Sequence, residues 1–289
     1  MHKTIMTNGK NSCKVLIVHG WLHSAQRYFP LKTALEQQAA AEVTLYEFPG
    51  FGKTPARYKK QILGHYVKDM ADYLRKNQFD FIIGHSMGAG IVLKAAAALN
   101  LNSCLILMNP AYGGIPRLRL AVLFVPGVYL ALSLLRYPCR VKRFLIKLAA
   151  LVTINKWKLI DELIVEDAQR ADPFTAATLL FELAFDRKKI HSRNRPAGET
   201  VLFISEKDRV IPFKRMKWLQ KDSNCRDVVI FKGIGHTIAV EGTERLVNEV
   251  VVRINGKMLQ FSLRLNCIKL NQDNYADFLM NYPVRYPPK

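Results

Sequence analysis

A serine between two glycines is the first residue of this chain whose surroundings suggest chemistry. Ser86 lies in the sequence GHSMG (residues 84–88), between an apolar run over residues 79–83 and a helix-like run over residues 89–99. A Gly-x-Ser-x-Gly between a strand and a helix predicts a tight turn that exposes the hydroxyl, with glycines where a Cβ would clash. The helix that follows directs its unpaired N–H groups toward the same point. Ser86 is therefore a candidate nucleophile, although a turn serine that only caps the helix would show the same five residues.

A carboxylate and an imidazole follow at the ends of two later strand-like runs. Residues 201–212 read as a buried strand that ends in a polar loop, and Asp208 stands in this loop just past the end of the strand. Residues 228–236 read as another strand that runs into a glycine-rich loop, which carries His236. Because a serine hydroxyl needs a base to take its proton, we interpret His236 as the general base and Asp208 as the acid that orients it. Glu206, in the same loop as Asp208, is the alternative orienting acid.

The chain order Ser86, Asp208, His236 resembles that of the α/β-hydrolase superfamily, whose triads run Ser…Asp/Glu…His. Two more segments carry the resemblance: a strand-like run over residues 14–18 that is followed by His-Gly, and the sequence PGFGKT (residues 49–54), which is similar to the family's PGxGxS loop. The resemblance covers about residues 13–254 apart from a variable middle. It implies an α/β fold with a mostly parallel sheet flanked by helices, and a serine hydrolase of the esterase or lipase type with a helical cap.

The same resemblance implies an oxyanion hole made of two backbone N–H groups. One belongs to the residue after the nucleophile, which is Met87 here. The other comes from the loop that follows His-Gly, where the matching position assigns Trp21, with Leu22 as the alternative. These two N–H groups would bind the negative oxygen that forms when the serine attacks a carbonyl.

The length of 289 residues allows one α/β core with an insertion. We expect the core over residues 1–112 and 196–254, a helical cap or lid over residues 113–195, and a C-terminal extension over residues 255–289. Apolar and polar residues alternate from Leu259 to Cys267, which predicts an edge strand with one buried face, followed by an extended tail.

The net charge of +20 is unevenly distributed. Residues 117–160 contain nine Lys or Arg and no acidic residue, while the stretch from Leu120 to Leu135 contains no charge at all. This apolar stretch is broken by Pro-Gly and is shorter than the roughly twenty residues that span a bilayer, so we interpret it as the apolar face of the cap. Residues 140–151 fit a basic amphipathic helix, which leaves peripheral contact with an anionic membrane surface open. No nucleic-acid recognition motif is present, so specific nucleic-acid binding is not expected.

The cysteines indicate a cellular location, and the missing motifs argue against a metal or a cofactor. Five scattered cysteines, an odd number, favour reduced thiols and a cytoplasmic location. The first fourteen residues show no apolar segment of the kind found in secretory signals. No His, Cys or Asp cluster has metal-ligand spacing, and neither a Walker loop nor a dinucleotide fingerprint occurs, so we expect no metal and no cofactor.

The expected activity is hydrolysis of a small-molecule carboxylic ester with an apolar acyl or alcohol part, through an acyl-enzyme intermediate. Thioesterases, lactonases and C–C bond hydrolases use the same triad and stay open as alternatives. A protein of another class is also open, because a hydrolase fold can serve as a non-catalytic ligand-binding or membrane-surface protein. The pattern favours no particular physiological substrate and no oligomeric state.

Overall fold

The computed structural model describes residues 12–115, 119, 154, 162–186, 190, 195–211, 219–220 and 222–269. Their centre is a sheet of six parallel strands in the order β2-β1-β3-β4-β5-β6. The strands are β1 (Cys13–Val18), β2 (Ala41–Tyr46), β3 (Phe81–His85), β4 (Cys104–Met108), β5 (Thr200–Ser205) and β6 (Cys225–Phe231). The helices are α1 (Phe29–Gln38), α2 (Ile62–Lys76), α3 (Met87–Ala98), α4 (Glu162–Arg170), α5 (Pro173–Phe185), α6 (Ile238–Glu241) and α7 (Thr243–Lys269). A single 3-10 turn, Ala25–Tyr28, precedes α1.

The sheet is covered on both faces, which is why its central strands read as continuous apolar runs. Successive side chains of a strand point to opposite faces. In β1, Leu16 and Val18 join the apolar cluster that contains α2, α3 and α5, while Val15 and Ile17 join the cluster that contains α1 and the first turns of α7. This arrangement confirms the predicted α/β class and its mostly parallel sheet.

The edge strand predicted from Leu259 to Cys267 is wrong, because these residues continue α7. The same stretch also fits a helical period, since Ile254, Met258, Phe261 and Leu265 are spaced by four, three and four residues. A helix that has already formed extends by one hydrogen bond per added residue without a new nucleation cost. Continuation of the final helix therefore prevails over the two-residue alternation. Residues 270–289 of the predicted extension lie outside the described residues.

Two helices, α4 and α5, are described within the predicted cap over residues 113–195. The side chain of Asp172 caps α5 by accepting a hydrogen bond from Thr175 N at 2.8 Å. The apolar run from Leu120 to Leu135 and the basic stretch over residues 140–151 lie outside the described residues. None of the described helices combines the length and apolar character needed to cross a bilayer.

Candidate active site

Ser86 occupies the sharp turn between β3 and α3, with φ of +49° and ψ of −116°. A non-glycine residue with these angles is strained, and such strain persists only where the surrounding structure fixes it. The two flanking glycines permit the turn. A Cβ at Gly84 would lie 2.6 Å from Ala89 Cα, and one at Gly88 would lie 2.3 Å from His19 O. Both positions therefore exclude any side chain.

The backbone of Ser86 is held on both sides by the end of β4 and the segment that follows it. Ser86 N donates to Met108 O at 2.9 Å, and Ala111 N donates to Ser86 O at 2.9 Å. A third glycine makes this approach possible, because a Cβ at Gly90 would lie 2.0 Å from Ala111 O. The sequence pattern did not single out Gly90 or this segment.

The side chains of Ser86, His236 and Asp208 form one hydrogen-bonded row. The distance from Ser86 Oγ to His236 Nε2 is 2.8 Å, and the distance from His236 Nδ1 to Asp208 Oδ2 is 2.7 Å. A carboxylate only accepts, so Nδ1 carries the proton and donates, and Nε2 is then the nitrogen that can accept from the serine hydroxyl. All three residues are buried. The row can therefore transfer a proton from the hydroxyl to the imidazole.

Asp208 is itself fixed by the loop after β5. Its second oxygen, Oδ1, accepts from Val210 N at 2.7 Å and from Ile211 N at 2.8 Å. Glu206, the alternative acid, accepts from Gly233 N at 2.9 Å instead. Of the two carboxylates, the structure brings Asp208 to the imidazole.

Two further histidines near the row are buried, and burial favours their neutral forms. His19 Nδ1 donates to Gly20 O at 2.8 Å and its Nε2 accepts from Phe48 N at 3.0 Å, which fixes the neutral tautomer. His85 Nε2 donates to His236 O at 3.0 Å. Burial lowers the pKa of His19, and burial together with the neighbouring His236 lowers the pKa of His85 to about 3. These two histidines thus shape loops rather than supply protons.

The loop after β1 passes directly beside the nucleophile. A Cβ at Gly20 would lie 3.2 Å from Ser86 Cβ, so the backbone that leads to Trp21 runs along one side of Ser86. Met87 is the first residue of α3, where its N–H has no acceptor within the helix. Leu22 follows Trp21 with a left-handed φ of +54°. Of the predicted oxyanion residues, Met87 therefore adjoins Ser86 in the chain, and Trp21 follows a glycine that lies against Ser86.

A buried ion pair connects the segment between β1 and α1 to α4. Asp167 Oδ2 accepts from Arg27 Nε at 3.0 Å and from an Arg27 Nη at 2.8 Å, while its Oδ1 accepts from Ser24 Oγ at 2.5 Å. Trp21 is anchored separately, because its Nε1 donates to Ala176 O of α5 at 2.9 Å. Sequence reasoning missed these contacts, since their partners lie about 140 or more residues apart.

The segment between β2 and α2 is held by one glutamate. Glu47 Oε1 accepts from Lys53 N at 2.9 Å and from Thr54 Oγ1 at 3.1 Å, and its Oε2 accepts from Ala25 N at 3.2 Å. The threonine that replaces serine in the PGxGxS pattern therefore has a structural hydrogen bond. Among the described residues, no group of three or more His, Cys, Asp or Glu side chains could hold a metal ion.

A family model described as "Serine aminopeptidase, S33" matches residues 9–243. No curated protein sequence matches the chain significantly. The fold is shared with many solved structures, of which three illustrate the range.

An esterase from Thermogutta terrifontis is 18% identical, with 85% of this chain and 90% of that chain covered and a TM-score of 0.65. A monoacylglycerol lipase from Paleococcus ferrophilus is 18% identical, with 83% and 93% covered and a TM-score of 0.59. A bromoperoxidase from Bacillus anthracis is 17% identical, with 85% and 92% covered and a TM-score of 0.66. At these identities the likeness establishes the fold, and the three proteins are named for three different activities.

Proposed function

The chain belongs to the serine aminopeptidase S33 family of α/β-hydrolases, and on that premise we propose that it is a serine esterase that acts on small carboxylic esters. One observation carries the proposal: the buried row in which Ser86 Oγ, the His236 imidazole and the Asp208 carboxylate are joined by hydrogen bonds of 2.8 and 2.7 Å. A turn serine that only capped α3 would need neither partner, and the side chain of Ser86 makes no capping hydrogen bond.

The first half of the proposed reaction transfers the acyl group to the enzyme. Ser86 Oγ bonds to the ester carbonyl carbon while His236 Nε2 takes the hydroxyl proton. Asp208 stabilises the imidazolium that results. The carbonyl oxygen becomes an oxyanion, which the N–H groups of Trp21 and Met87 bind; loss of one such donor typically costs about 10²–10³ in rate. The C–O bond to the alcohol then breaks, and His236 gives its proton to the departing alcohol.

The second half returns the enzyme to its starting state. His236 Nε2 takes a proton from water as the water oxygen attacks the acyl-enzyme carbonyl. The tetrahedral intermediate expels Ser86 Oγ, which recovers its proton from His236, and the carboxylic acid leaves. Atoms balance as one ester and one water giving one acid and one alcohol.

An apolar acyl or alcohol part is the substrate class we favour. The uncharged stretch from Leu120 to Leu135 supports it, and so do the esterase and the monoacylglycerol lipase among the similar structures. Contact with an anionic membrane surface would involve the basic residues over 117–160, nearly all of which lie outside the described residues, and it stays a prediction.

A fluorophosphonate probe tests the nucleophile. The wild-type protein should be labelled at Ser86, and Ser86→Ala should abolish both labelling and hydrolysis of p-nitrophenyl esters. Ser103→Ala is the matched control, because Ser103 is also buried and donates to a backbone carbonyl, Phe79 O, at 2.6 Å, but it stands before β4 at the opposite end of the sheet. An unlabelled wild-type protein, or equal labelling of Ser86→Ala, would reject the proposal.

A substrate panel tests the bond that is cleaved. It should contain p-nitrophenyl esters of graded chain length, an acyl thioester, a lactone and an aminoacyl p-nitroanilide, the last because the family description names aminopeptidases. We expect kcat/KM to be highest for an ester of intermediate or long chain. Faster turnover of the anilide would replace the esterase assignment by a peptidase one while leaving the triad in place.

A further inference from the structure

Asn109 is the residue that follows β4, and its side chain is fully buried. Its φ is +42°, a left-handed conformation that asparagine adopts more readily than most other residues with a side chain. Its backbone N–H donates to Phe203 O of β5 at 2.9 Å, which fixes the residue against the neighbouring strand. A buried amide side chain must be hydrogen-bonded, so the partners of this side chain indicate what it does.

The Asn109 side chain joins two loops. Its Oδ1 accepts from Ser205 N at 2.8 Å, and its Nδ2 donates to Ser205 Oγ at 2.9 Å and to His236 O at 2.7 Å. Ser205 is the last residue of β5 and stands three positions before Asp208. One amide therefore uses both of its N–H donors and its carbonyl to connect the start of the Asp208 loop to the backbone of His236.

The residues on either side of Asn109 contact the turn that carries the nucleophile. Met108 O and Ala111 N contact the backbone N and O of Ser86, as described above. His85, which precedes Ser86, donates a second hydrogen bond to His236 O. The four residues 108–111 thus contact the nucleophile turn, the acid loop and the histidine loop.

We propose that Asn109 is a positioning residue for the row of Ser86, His236 and Asp208. This inference rests on the proposed function, and it adds a residue outside the triad that governs the alignment of the base. Asn109 acts through the backbone carbonyl of His236 and makes no hydrogen bond to the side chain of any of the three. Its contribution is to hold the histidine loop at a fixed distance from the acid loop, so that both hydrogen bonds of the imidazole form at once.

Asn109→Asp tests this role with almost no change in size. The new carboxylate oxygen would face His236 O where Nδ2 now donates, so attraction becomes repulsion. The contacts with Ser205 can persist, because Oδ1 still accepts from Ser205 N and the serine hydroxyl can rotate to donate. Asn224→Asp is the matched control. Asn224 also has a left-handed φ, of +52°, and its Nδ2 also donates to a backbone carbonyl, Gly198 O at 3.3 Å, but it precedes β6 at the far end of the sheet.

Two readouts separate positioning from general stability. In ester hydrolysis, kcat of Asn109→Asp should fall by about 10- to 100-fold, the range expected for misplacement of a catalytic group. KM should stay within about threefold, because the Asn109 side chain is fully buried. In proton NMR, the downfield resonance of His236 Nδ1–H, assigned by its loss in His236→Gln, should shift or disappear in Asn109→Asp. Asn224→Asp should keep both properties, whatever its melting temperature.

A folded Asn109→Asp protein with wild-type kcat and an unshifted resonance would overturn the inference, and so would an equal loss of kcat in Asn224→Asp. If Asn109→Asp does not fold, Asn109→Ala is measured in the same way, and failure of both to fold assigns the residue to stability and overturns the positioning role. A wild-type protein that shows the resonance but neither hydrolysis nor probe labelling would reject the proposed function instead. The NMR comparison would then still decide whether Asn109 aligns the imidazole.

Discussion

Disruption of the buried pair between Arg27 and Asp167 should destabilise the protein far more than disruption of an exposed pair. The side chains of Arg27 and Asp167 are 2% and 0% exposed. Asp167 accepts three hydrogen bonds, two from the guanidinium and one from Ser24. Asp167→Asn keeps the shape but removes the negative charge that accepts two hydrogen bonds from the buried guanidinium. The pair also connects the segment between β1 and α1 to α4, so its loss weakens a contact between distant parts of the chain.

The size of the expected destabilisation follows from the burial of the two side chains. Removal of one partner of a buried ion pair costs about 3–5 kcal/mol, because the remaining charge stays desolvated. A chain of 289 residues has an unfolding entropy of about 0.6 kcal/mol per degree at roughly 2.1 cal/mol/K per residue. The melting temperature of Asp167→Asn should therefore fall by about 5–8 °C. Arg27→Met combined with Asp167→Leu removes both charges and should be less destabilised than Asp167→Asn alone.

Denaturant titration and differential scanning calorimetry measure these changes. Asp72→Asn is the control, because Asp72 pairs with Arg75 on α2 and these side chains are 46% and 60% exposed. Its loss should cost less than about 1 kcal/mol. If Asp167→Asn and Asp72→Asn reduce the free energy of unfolding equally, or if the double variant is less stable than Asp167→Asn, burial does not govern this pair as argued.

The further predictions concern two helix glycines, a buried cysteine and a buried histidine. Gly64→Ala in α2, where an added Cβ meets nothing within 4 Å, should raise the free energy of unfolding by about 0.5–1 kcal/mol in denaturant titration. Gly88→Ala, whose Cβ would meet a backbone oxygen at 2.3 Å, should lower the free energy of unfolding and abolish labelling by the fluorophosphonate probe. The Cys104 thiol, whose pKa burial raises to about 11, should react with iodoacetamide at least roughly tenfold more slowly than half-buried Cys225 in peptide mapping of the native protein; equal rates would contradict this. Burial lowers the pKa of His85 to about 3, so between about pH 6.5 and 3 the unfolded chain binds a proton that the folded protein does not. The free energy of unfolding should therefore fall as the pH falls through this range, by up to about 1.4 kcal/mol per pH unit from this group, and His85→Gln should reduce the slope of melting temperature against pH.

The sequence predicts the parts of this molecule that depend on local pattern. Buried parallel strands read as uninterrupted apolar runs, and the chemistry-bearing residues stand in the loops after three of them: Ser86 after β3, Asp208 after β5 and His236 after β6. Because parallel strands place their carboxyl ends at one edge of a sheet, these positions lie at the same edge although as many as 150 residues separate them. The choice between Glu206 and Asp208 was open in the sequence, since both stand in one loop and only the tertiary structure sets which carboxylate contacts the imidazole.

The predicted tail strand shows where local pattern is insufficient. From Leu259 to Cys267 the residues satisfy a period of two, and from Ile254 to Leu265 they also satisfy a helical period. Periodicity alone does not rank these alternatives. The helix that begins at Thr243 and buries Leu246 and Val250 against the sheet favours the helical alternative.

Buried polar partners are the features that no periodicity encodes, yet strand order constrains where some of them lie. Asp167 meets Arg27 across 140 residues, and nothing near either residue indicates the other. Asn109 differs, because β4 lies between the nucleophile strand β3 and the acid strand β5 in the sheet. Any residue that directly follows β4 must therefore enter the space between the Ser86 turn and the loops that carry Asp208 and His236. An asparagine at that position, with two donors and an acceptor on a short side chain, is suited to bridge them. The role of Asn109 could thus be inferred from the sequence once the strand order was assumed, because its position directly after β4 indicates what it contacts.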